Sequence, residues 1–164
     1  MINMNEKMNE KLFMMSMRFN KESPEDFGLI PSEDTDIYIM PSDKSLWKKC
    51  NLYDFGWGKE NGYYKLPLPQ FDDLVNIIIN SECKDNKYGA AAIILDDFND
   101  DLLLKCQEIF KDGKSAKKYG DFFKILQLDI PINRSSTLGK SYKEISEDFE
   151  KWKDISEQVL KYIK

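Results

Sequence analysis

The chain has 164 residues, of which 24 are basic and 29 acidic, and it contains no histidine. Its net charge of −5 argues against a surface for nucleic acid or anionic membrane, because both need clustered positive charge. The absence of histidine excludes Ser-His-Asp triads, Cys-His dyads and His-ligated metals. Any catalysis would therefore depend on carboxylates, lysine or tyrosine.

The size and the hydrophobic content of 41% predict one globular domain over residues 1–164, with a frayed start at residues 1–10. The three cysteines, Cys50, Cys83 and Cys106, have neither metal-binding nor redox spacing. We expect them to be small buried side chains in a reducing compartment. No apolar run approaches membrane-spanning length, so the sequence predicts a cytoplasmic protein.

The first quarter of the chain predicts strands around an acidic loop. Alternating apolar side chains from Phe13 to Phe19 indicate a strand with one buried face. Residues 22–36 contain six acidic residues, two prolines and no basic residue, which predicts a solvated loop with one turn near 27–30. A short strand over 36–40 and a brief helix from Ser42 to Trp47 are expected next.

Two aromatic stretches, 51–57 and 63–66, flank the segment 58–62, where Asn61-Gly62 is a strong hairpin signal. We therefore predict an antiparallel hairpin. It carries five aromatic side chains: Tyr53, Phe55, Trp57, Tyr63 and Tyr64. One face of such a ribbon can pack on the core while the other stays exposed, so two or three of these rings are candidates for a binding surface. The competing interpretation is that all of them complete the core.

The second half of the chain predicts helices around one strand. The continuous apolar run from Tyr88 to Leu95 indicates a strand covered on both faces, at the centre of the sheet. Helical spacing or capping signals predict helices over 70–81, 102–110, 115–126 and 141–163. An edge strand is expected over 128–132.

These elements predict the α+β class: a single domain in which a mixed or antiparallel sheet with an aromatic hairpin is packed by about four helices, including a long C-terminal helix. That last helix carries a continuous apolar stripe, formed by Tyr142, Ile145, Phe149, Trp152, Ile155, Val159 and Tyr162. If the stripe faces another chain, the protein is an assembly subunit, which is one alternative function.

The segment from Arg134 to Ser141 resembles the phosphate-binding P-loop, in which backbone amides and a lysine hold phosphate. Gly139, Lys140 and Ser141 match the end of that motif, whereas Arg134 stands where its first glycine belongs. A nucleotide- or phosphate-binding protein is therefore another alternative. The competing interpretation is structural, with Ser141 and Glu144 forming a capping box at the start of the last helix.

Acidic residues from Asp96 to Asp101 precede a predicted helix. If Asp97 is taken as the first position of a calcium-binding EF-hand loop, Leu102 stands where that loop requires glycine. We therefore interpret the carboxylates as residues of a helix start, where they satisfy free amides and oppose the positive end of the dipole. The sequence predicts no resident metal or cofactor, and no residue stands out as catalytic.

The stretch from Tyr88 to Asp97, followed by a leucine-rich helix, together with Phe55-Gly-Trp-Gly, resembles small acidic α+β immunity proteins of bacterial polymorphic-toxin systems. The resemblance implies a cytosolic protein that binds and blocks a toxin enzyme without doing chemistry itself. It implies no particular binding residue, because such families share little sequence and several folds.

The sequence thus favours binding over catalysis. We expect a non-catalytic module whose partner is a protein. The resemblance implies that this partner is a basic toxin domain. We expect the interface to combine the acidic residues Glu25, Asp26, Glu33 and Asp34 with the hairpin aromatics Tyr53, Phe55, Trp57, Tyr63 and Tyr64. An acidic surface beside exposed aromatics suits capture of a basic partner. No nucleic-acid or membrane partner is expected, and the sequence leaves the oligomeric state open.

Overall fold

The computed structural model describes residues 10–16 and 23–163. Within these ranges, five strands form one antiparallel sheet in the order β1-β5-β4-β3-β2, and there are five α-helices. The predicted α+β class, with its antiparallel hairpin and its long C-terminal helix, is confirmed. The chain divides into two compact units, residues 1–93 and 94–164.

The strands are β1 (Phe13–Met15), β2 (Ile30–Pro31), β3 (Ile37–Ile39), β4 (Leu46–Asp54) and β5 (Lys59–Lys65). The helices are α1 (Phe71–Asn80), α2 (Lys84–Asp97), α3 (Asn99–Asp112), α4 (Gly120–Ile125) and α5 (Tyr142–Val159). Short 3-10 turns occur at Pro24–Phe27 and Ala116–Tyr119.

Both faces of the sheet are covered along β1. Phe13 is fully buried against the helix α2, where it lies next to Gly89. The opposite face carries a separate apolar cluster: Met14, Phe27, Leu29, Trp47 and Tyr63. The expected strand with a single buried face was therefore wrong for Met14, which is buried like its neighbours because a second layer covers it. The remainder of that predicted strand, from Met17 to Phe19, lies outside the described residues.

The outer edge of β1 is held by a side chain of α2. The Oδ1 atom of the fully buried Asn86 accepts hydrogen bonds from the backbone amides of Leu12 and Phe13, at 2.8 and 3.1 Å. Its Nδ2 group donates to the carbonyl of Glu10 at 2.7 Å. An amide side chain thus supplies the partners that a further strand would otherwise provide, and the edge is closed to pairing.

The predicted central strand from Tyr88 to Leu95 was wrong, because this run lies within α2. Its residues from Ala90 to Ile94 are all buried, so the helix is covered on several sides and has no polar face there. A short apolar run of this kind has the same hydrophobic pattern in a buried helix and in a buried strand. Alanine is the strongest helix former, and its enrichment here agrees with the observed structure.

Two shorter predictions were also wrong. No helix runs from Ser42 to Trp47; instead Trp47 belongs to β4, where it pairs with Tyr38 and Lys65 on the neighbouring strands. Residues 128–132 form no strand, because local turns take their amides: the amide of Ile130 bonds to the carbonyl of Gln127.

The predicted hairpin is confirmed as β4 and β5, but its turn is at residues 55–58. Asn61 and Gly62 lie inside β5, opposite Asn51 and Cys50. A Cβ atom at position 62 would lie 2.7 Å from Leu52 Cδ1 and would also contact the Met14 carbonyl oxygen. Glycine is therefore required at this position for close packing between strands, and not for a turn.

In the second unit, α3, α4 and α5 contribute the core. Phe110 of α3 stacks on Phe123 of α4, with 5.2 Å between ring centroids. The buried Trp152 of α5 donates its indole N–H to Ser135 Oγ at 2.9 Å. The predicted apolar stripe of α5 is buried only in its second half, from Trp152 to Val159, while Tyr142 and Phe149 are exposed.

The cysteines differ from the prediction. All three are free, but only Cys106 is buried, whereas Cys50 and Cys83 are partly exposed. Burial raises the pKa of the Cys106 thiol to about 12.

Candidate protein-binding surface

The turn of the β4–β5 hairpin is built around one carboxylate. Asp54 Oδ1 accepts hydrogen bonds from the amides of Gly56 and Gly58, at 2.7 and 3.0 Å. Both glycines have positive φ angles, of 111° and 103°, which side-chain-bearing residues rarely adopt. The sequence Asp-Phe-Gly-Trp-Gly therefore specifies a defined turn conformation, with its two aromatic residues between fixed backbone positions.

Four aromatic rings pack together at this turn, and we call them the tip cluster: Tyr53, Phe55, Trp57 and Tyr88. Phe55 is at its centre, with its centroid 4.9 Å from that of Tyr53 and 4.8 Å from that of Tyr88. On its other side it stacks with Trp57, at 5.5 Å and an interplanar angle of 19°. Lys84 Nζ lies 5.7 Å from the Phe55 ring centroid and 5.8 Å from that of Tyr88, within cation–π range.

Trp57 is the most exposed member of the tip cluster, with 41% of its surface exposed, whereas Phe55 and Tyr88 are half-buried. Its indole N–H donates to Glu60 Oε1 at 2.5 Å, and Glu60 itself is fully buried. The ring is thus fixed from two directions, by the stack on Phe55 and by a hydrogen bond to a carboxylate that cannot move into solvent. A bulky aromatic side chain is held outward in one orientation.

The other hairpin aromatics are not on this surface. Tyr53 is buried within the tip cluster, and Tyr64 is half-buried. Tyr63 is buried on the opposite face of the sheet, with its ring 5.0 Å from that of Phe27 and 5.2 Å from that of Tyr38. Burial raises the pKa of the Tyr63 phenol to about 12.

The acidic residues separate into two groups. Glu33 and Asp34 are exposed in the turn that joins β2 and β3. Because successive strands alternate in direction, this turn and the β4–β5 turn lie at the same end of the sheet, which we call the tip end. The amide of Lys49 donates to the carbonyl of Asp36, so the end of the acidic turn lies beside Lys49 of β4. At a rise of about 3.3–3.4 Å per residue, Lys49 is about 17 Å from Asp54, where the β4–β5 turn begins.

Glu25 and Asp26 are exposed elsewhere, on the 3-10 turn Pro24–Phe27. That turn lies over the sheet face where Phe27 packs on Tyr63. Glu25 contributes to the raised pKa of Tyr63, after burial and the neighbouring Tyr38, and is therefore close to that ring. The turn that carries Glu33 and Asp34 thus points toward the tip end without reaching the β4–β5 turn, whereas Glu25 and Asp26 lie on the side of the sheet.

The sequence interpretation missed three contributors to the tip cluster: Tyr88, Lys84 and Glu60. Tyr88 and Lys84 belong to α2, of which the sequence predicts the part from Tyr88 to Leu95 as a strand, and nothing in the sequence places them beside residue 55. Glu60 follows an exposed lysine in a strand, and no local signal distinguishes it from a solvated glutamate.

The P-loop-like segment lies in the second unit and has a local structural role. Lys140 Nζ pairs with Asp148 Oδ2 at 2.5 Å, and this hydrogen bond raises the pKa of Lys140. The Ser141–Glu144 capping box is present: the Ser141 amide donates to Glu144 Oε2 at 2.7 Å, and the Glu144 amide donates to Ser141 Oγ at 3.2 Å. The amide of Ser141 lowers the pKa of Glu144.

Among the described residues, no three cysteine or carboxylate side chains come together in an arrangement suited to a metal ion. None of the helices in the described ranges combines the length and apolar character needed to cross a bilayer. The chain has no significant match to a family model, a curated protein or a solved structure.

Proposed function

We propose that this protein is a non-catalytic binding module that captures a positively charged protein partner at the tip end of its sheet, in the manner of an immunity-type inhibitor. The observation that carries the proposal is Trp57, which is 41% exposed and held in one orientation at the same end of the sheet as an acidic turn. Tryptophan is among the residues most enriched at the energetic centres of protein interfaces.

The geometry supports an anchor that is already organised before binding. Trp57 is fixed by Phe55 and Glu60, and the backbone beneath it is fixed by Asp54. A side chain that keeps its bound orientation in the free protein loses little conformational entropy on association, so more of its contact energy contributes to affinity.

The charge pattern supports a basic partner. Residues 22–36 carry no basic side chain, and Glu33 and Asp34 are exposed at the tip end. Glu25 and Asp26 add negative potential from the side of the sheet. Charges at the rim of an interface mainly raise the association rate, and this contribution falls as salt screens it. We therefore expect Trp57 to contribute most of the binding affinity and the acidic residues to raise mainly the association rate.

Phosphate binding through Gly139, Lys140 and Ser141 has less support. The ammonium group that would bind phosphate is paired with Asp148, and the Ser141 amide is occupied by Glu144. A thermal-shift titration with ATP or GTP and magnesium tests this alternative, which would require a shift that Lys140→Ala abolishes.

The experiment for the proposed function is affinity capture from the native cell with the full chain as bait, quantified by mass spectrometry at about 50 and about 300 mM salt, between which the screening length falls appreciably. Two variants carry the test: Trp57→Ala, and the double charge reversal Glu33→Lys with Asp34→Lys. We expect Trp57→Ala to reduce capture of the specific partner at least tenfold at both salt concentrations. The charge reversal should reduce it mainly at low salt.

Matched controls come from the second unit. Tyr142→Ala removes an aromatic side chain that is 88% exposed, more than Trp57 at 41%, and Glu147→Lys with Glu150→Lys makes the same change in net charge on α5. A partner retained by these controls but lost from both tip-end variants supports the proposal. Capture that is unaffected by Trp57→Ala, or lost equally from the α5 charge control, would contradict it.

A further inference from the structure

Positive charge is concentrated at one corner of the second unit, although the chain as a whole is acidic. Residues 111–118, from the end of α3 to the 3-10 turn before α4, contain four lysines, which we call the basic corner: Lys111, Lys114, Lys117 and Lys118. All four are exposed, and the only carboxylate among these eight residues is that of Asp112. The net charge of −5 is a sum over the whole chain and does not describe this corner.

The protein does not neutralise the charge of the basic corner. None of its four lysines forms an ion pair with a carboxylate in the described ranges. In the same unit, by contrast, Lys140 and Lys151 lie 2.5 and 3.9 Å from the carboxylate of Asp148. Asp112 accepts a hydrogen bond from Ser115 Oγ at 2.9 Å. An anion that contacts several of these ammonium groups at once therefore meets no competing carboxylate pair and reduces their mutual repulsion.

Local helix stability does not explain two of these lysines. The 3-10 turn Ala116–Tyr119 continues directly into α4, because Gly120 has helical angles, with φ −52° and ψ −51°. Lys117 and Lys118 therefore lie in the first turn of this stretch, where no acidic residue occurs and where the positive end of the helix dipole disfavours cations. The buried Phe123 fixes the stretch on the core while both lysines remain exposed. Their charge is thus presented to solvent at a cost in local stability.

The chemistry of the basic corner indicates which class of anion it suits. It contains no arginine, so it lacks the planar group that recognises one phosphate or base in a bidentate manner. The only apolar residue among the eight is Ala116, which is buried, so the corner offers no side chain for insertion into a membrane.

Exposed lysines alone bind most strongly to the ligand with the highest charge density, because each phosphate contact releases condensed counterions. Double-stranded nucleic acid carries about one negative charge per 1.7 Å of its axis, twice the density of one of its strands. A duplex backbone therefore suits the basic corner better than a single strand or an acidic peptide.

We infer that the basic corner is a sequence-independent contact surface for the phosphate backbone of double-stranded nucleic acid. Its four ammonium groups replace counterions along the backbone, and no side chain of the corner reads a base. The expectation of no nucleic-acid partner rested on the net charge of the whole chain, which this local excess of lysine does not share. The corner is separate from the tip end, which belongs to the first unit, and does not depend on the function proposed there.

The probes are two fluorescein-labelled DNA duplexes of unrelated sequence, each of about 20 base pairs, titrated with the full chain by fluorescence anisotropy between about 50 and about 200 mM salt. With four phosphate contacts, the logarithm of the association constant should fall with that of the salt concentration at a slope of about −3.6, a loss of about 150-fold over this range. The two duplexes should bind equally. Lys117→Gln with Lys118→Gln should bring the slope to about −1.8 and weaken binding at least tenfold at about 50 mM salt, and Lys111→Gln with Lys114→Gln should do the same.

The matched control is Lys143→Gln with Lys153→Gln, which makes the same change in net charge at two exposed lysines of α5 and should leave the slope unchanged. No duplex binding at about 50 mM salt, or equal slopes in the wild type and in both corner variants, would overturn the inference, as would an equal loss in the α5 control. Thermal transitions verify the folding of each variant, and the two corner variants are independent of each other.

Two further probes distinguish other anions. A fluorescein-labelled polyglutamate peptide that binds more tightly than the duplexes would replace the nucleic acid with an acidic protein segment. Co-sedimentation with vesicles of phosphatidylcholine and phosphatidylserine, in preference to the duplexes, would replace it with a membrane surface. We expect neither probe to compete with a duplex at equal concentration of negative charge.

Discussion

Gly89, like Gly62, is a position in the first unit where one added methyl group would meet buried atoms at less than 3 Å. It lies inside α2, against the fully buried Phe13 of β1. A Cβ atom at position 89 would lie 2.6 Å from Phe13 Cβ and closer still to the ring atoms Cγ and Cδ1. The Phe13 ring has no solvent to move into, and its backbone is held by Asn86.

Two opposing effects determine the result of Gly89→Ala. Replacing glycine by alanine inside a helix stabilises it by about 1 kcal/mol. Overpacking in a closed core costs about 1–3 kcal/mol, and three close contacts with a ring that cannot retreat place this case at the upper end. We therefore expect Gly89→Ala to lower the free energy of unfolding by about 2 kcal/mol, opposite in sign to its helix propensity.

The assay is urea denaturation of four proteins: wild type, Gly89→Ala, Phe13→Ala and the double variant. Phe13→Ala alone should cost about 3–5 kcal/mol, because it leaves a cavity. In that background Gly89→Ala should change stability by less than about 0.5 kcal/mol, since only the contact between the two Cβ atoms remains and helix propensity offsets it. The expected coupling is thus about 2 kcal/mol. Stabilisation by Gly89→Ala in the wild-type background, or equal effects in both backgrounds, would refute the close packing of α2 on β1.

Three further predictions concern buried polar groups. Asn86→Ala should destabilise the protein by about 2–4 kcal/mol in urea denaturation, because it leaves backbone groups of the β1 edge without partners. In the native protein a thiol reagent such as Ellman's reagent should modify Cys50 and Cys83 and reach Cys106 only on unfolding; rapid native modification of Cys106 would contradict its burial. The pKa of Tyr63 is raised to about 12, so between pH 10 and 12 the folded state keeps a proton that the unfolded chain loses, and stability falls as pH rises. Tyr63→Phe should make that fall shallower by at most about 1.4 kcal/mol per pH unit, measured as the urea midpoint against pH, and an unchanged slope would disprove the assignment.

The hairpin shows how far local sequence signals reach. Alternating aromatic residues around glycines correctly predicted two antiparallel strands, because pleating and turn chemistry depend on neighbouring residues. The predicted position of the turn, at Asn61-Gly62, was wrong; the observed turn at 55–58 also contains glycines. Gly56 and Gly58 are there for their backbone conformation, whereas Gly62 is there because Leu52 and the Met14 carbonyl leave no room for a side chain. Only the packed sheet distinguishes these two reasons for a glycine.

The tip cluster shows where the sequence interpretation stopped. The hairpin aromatics were recognised as candidate contact residues, but their individual exposure depends on which layers cover the sheet. Tyr63 is covered by Phe27 from a distant turn, and Trp57 is not. Tyr88 and Lys84 lie beside Phe55 because they belong to a helix, α2. The hydrophobic pattern of the run after Tyr88 does not distinguish a buried helix from a buried strand.

By itself, the sequence determined the α+β composition, the hairpin, most helix positions, the capping box of α5 and the acidic character of residues 22–36, because each depends on residues close together in the chain. The tertiary structure alone decided that α2 is a helix, that Glu33 and Asp34 share the tip end with Trp57 while Glu25 and Asp26 do not, and that Leu138 and Tyr142 remain exposed. These outcomes depend on strand order and on which apolar faces find a covering layer, and both are set by contacts between residues far apart in sequence.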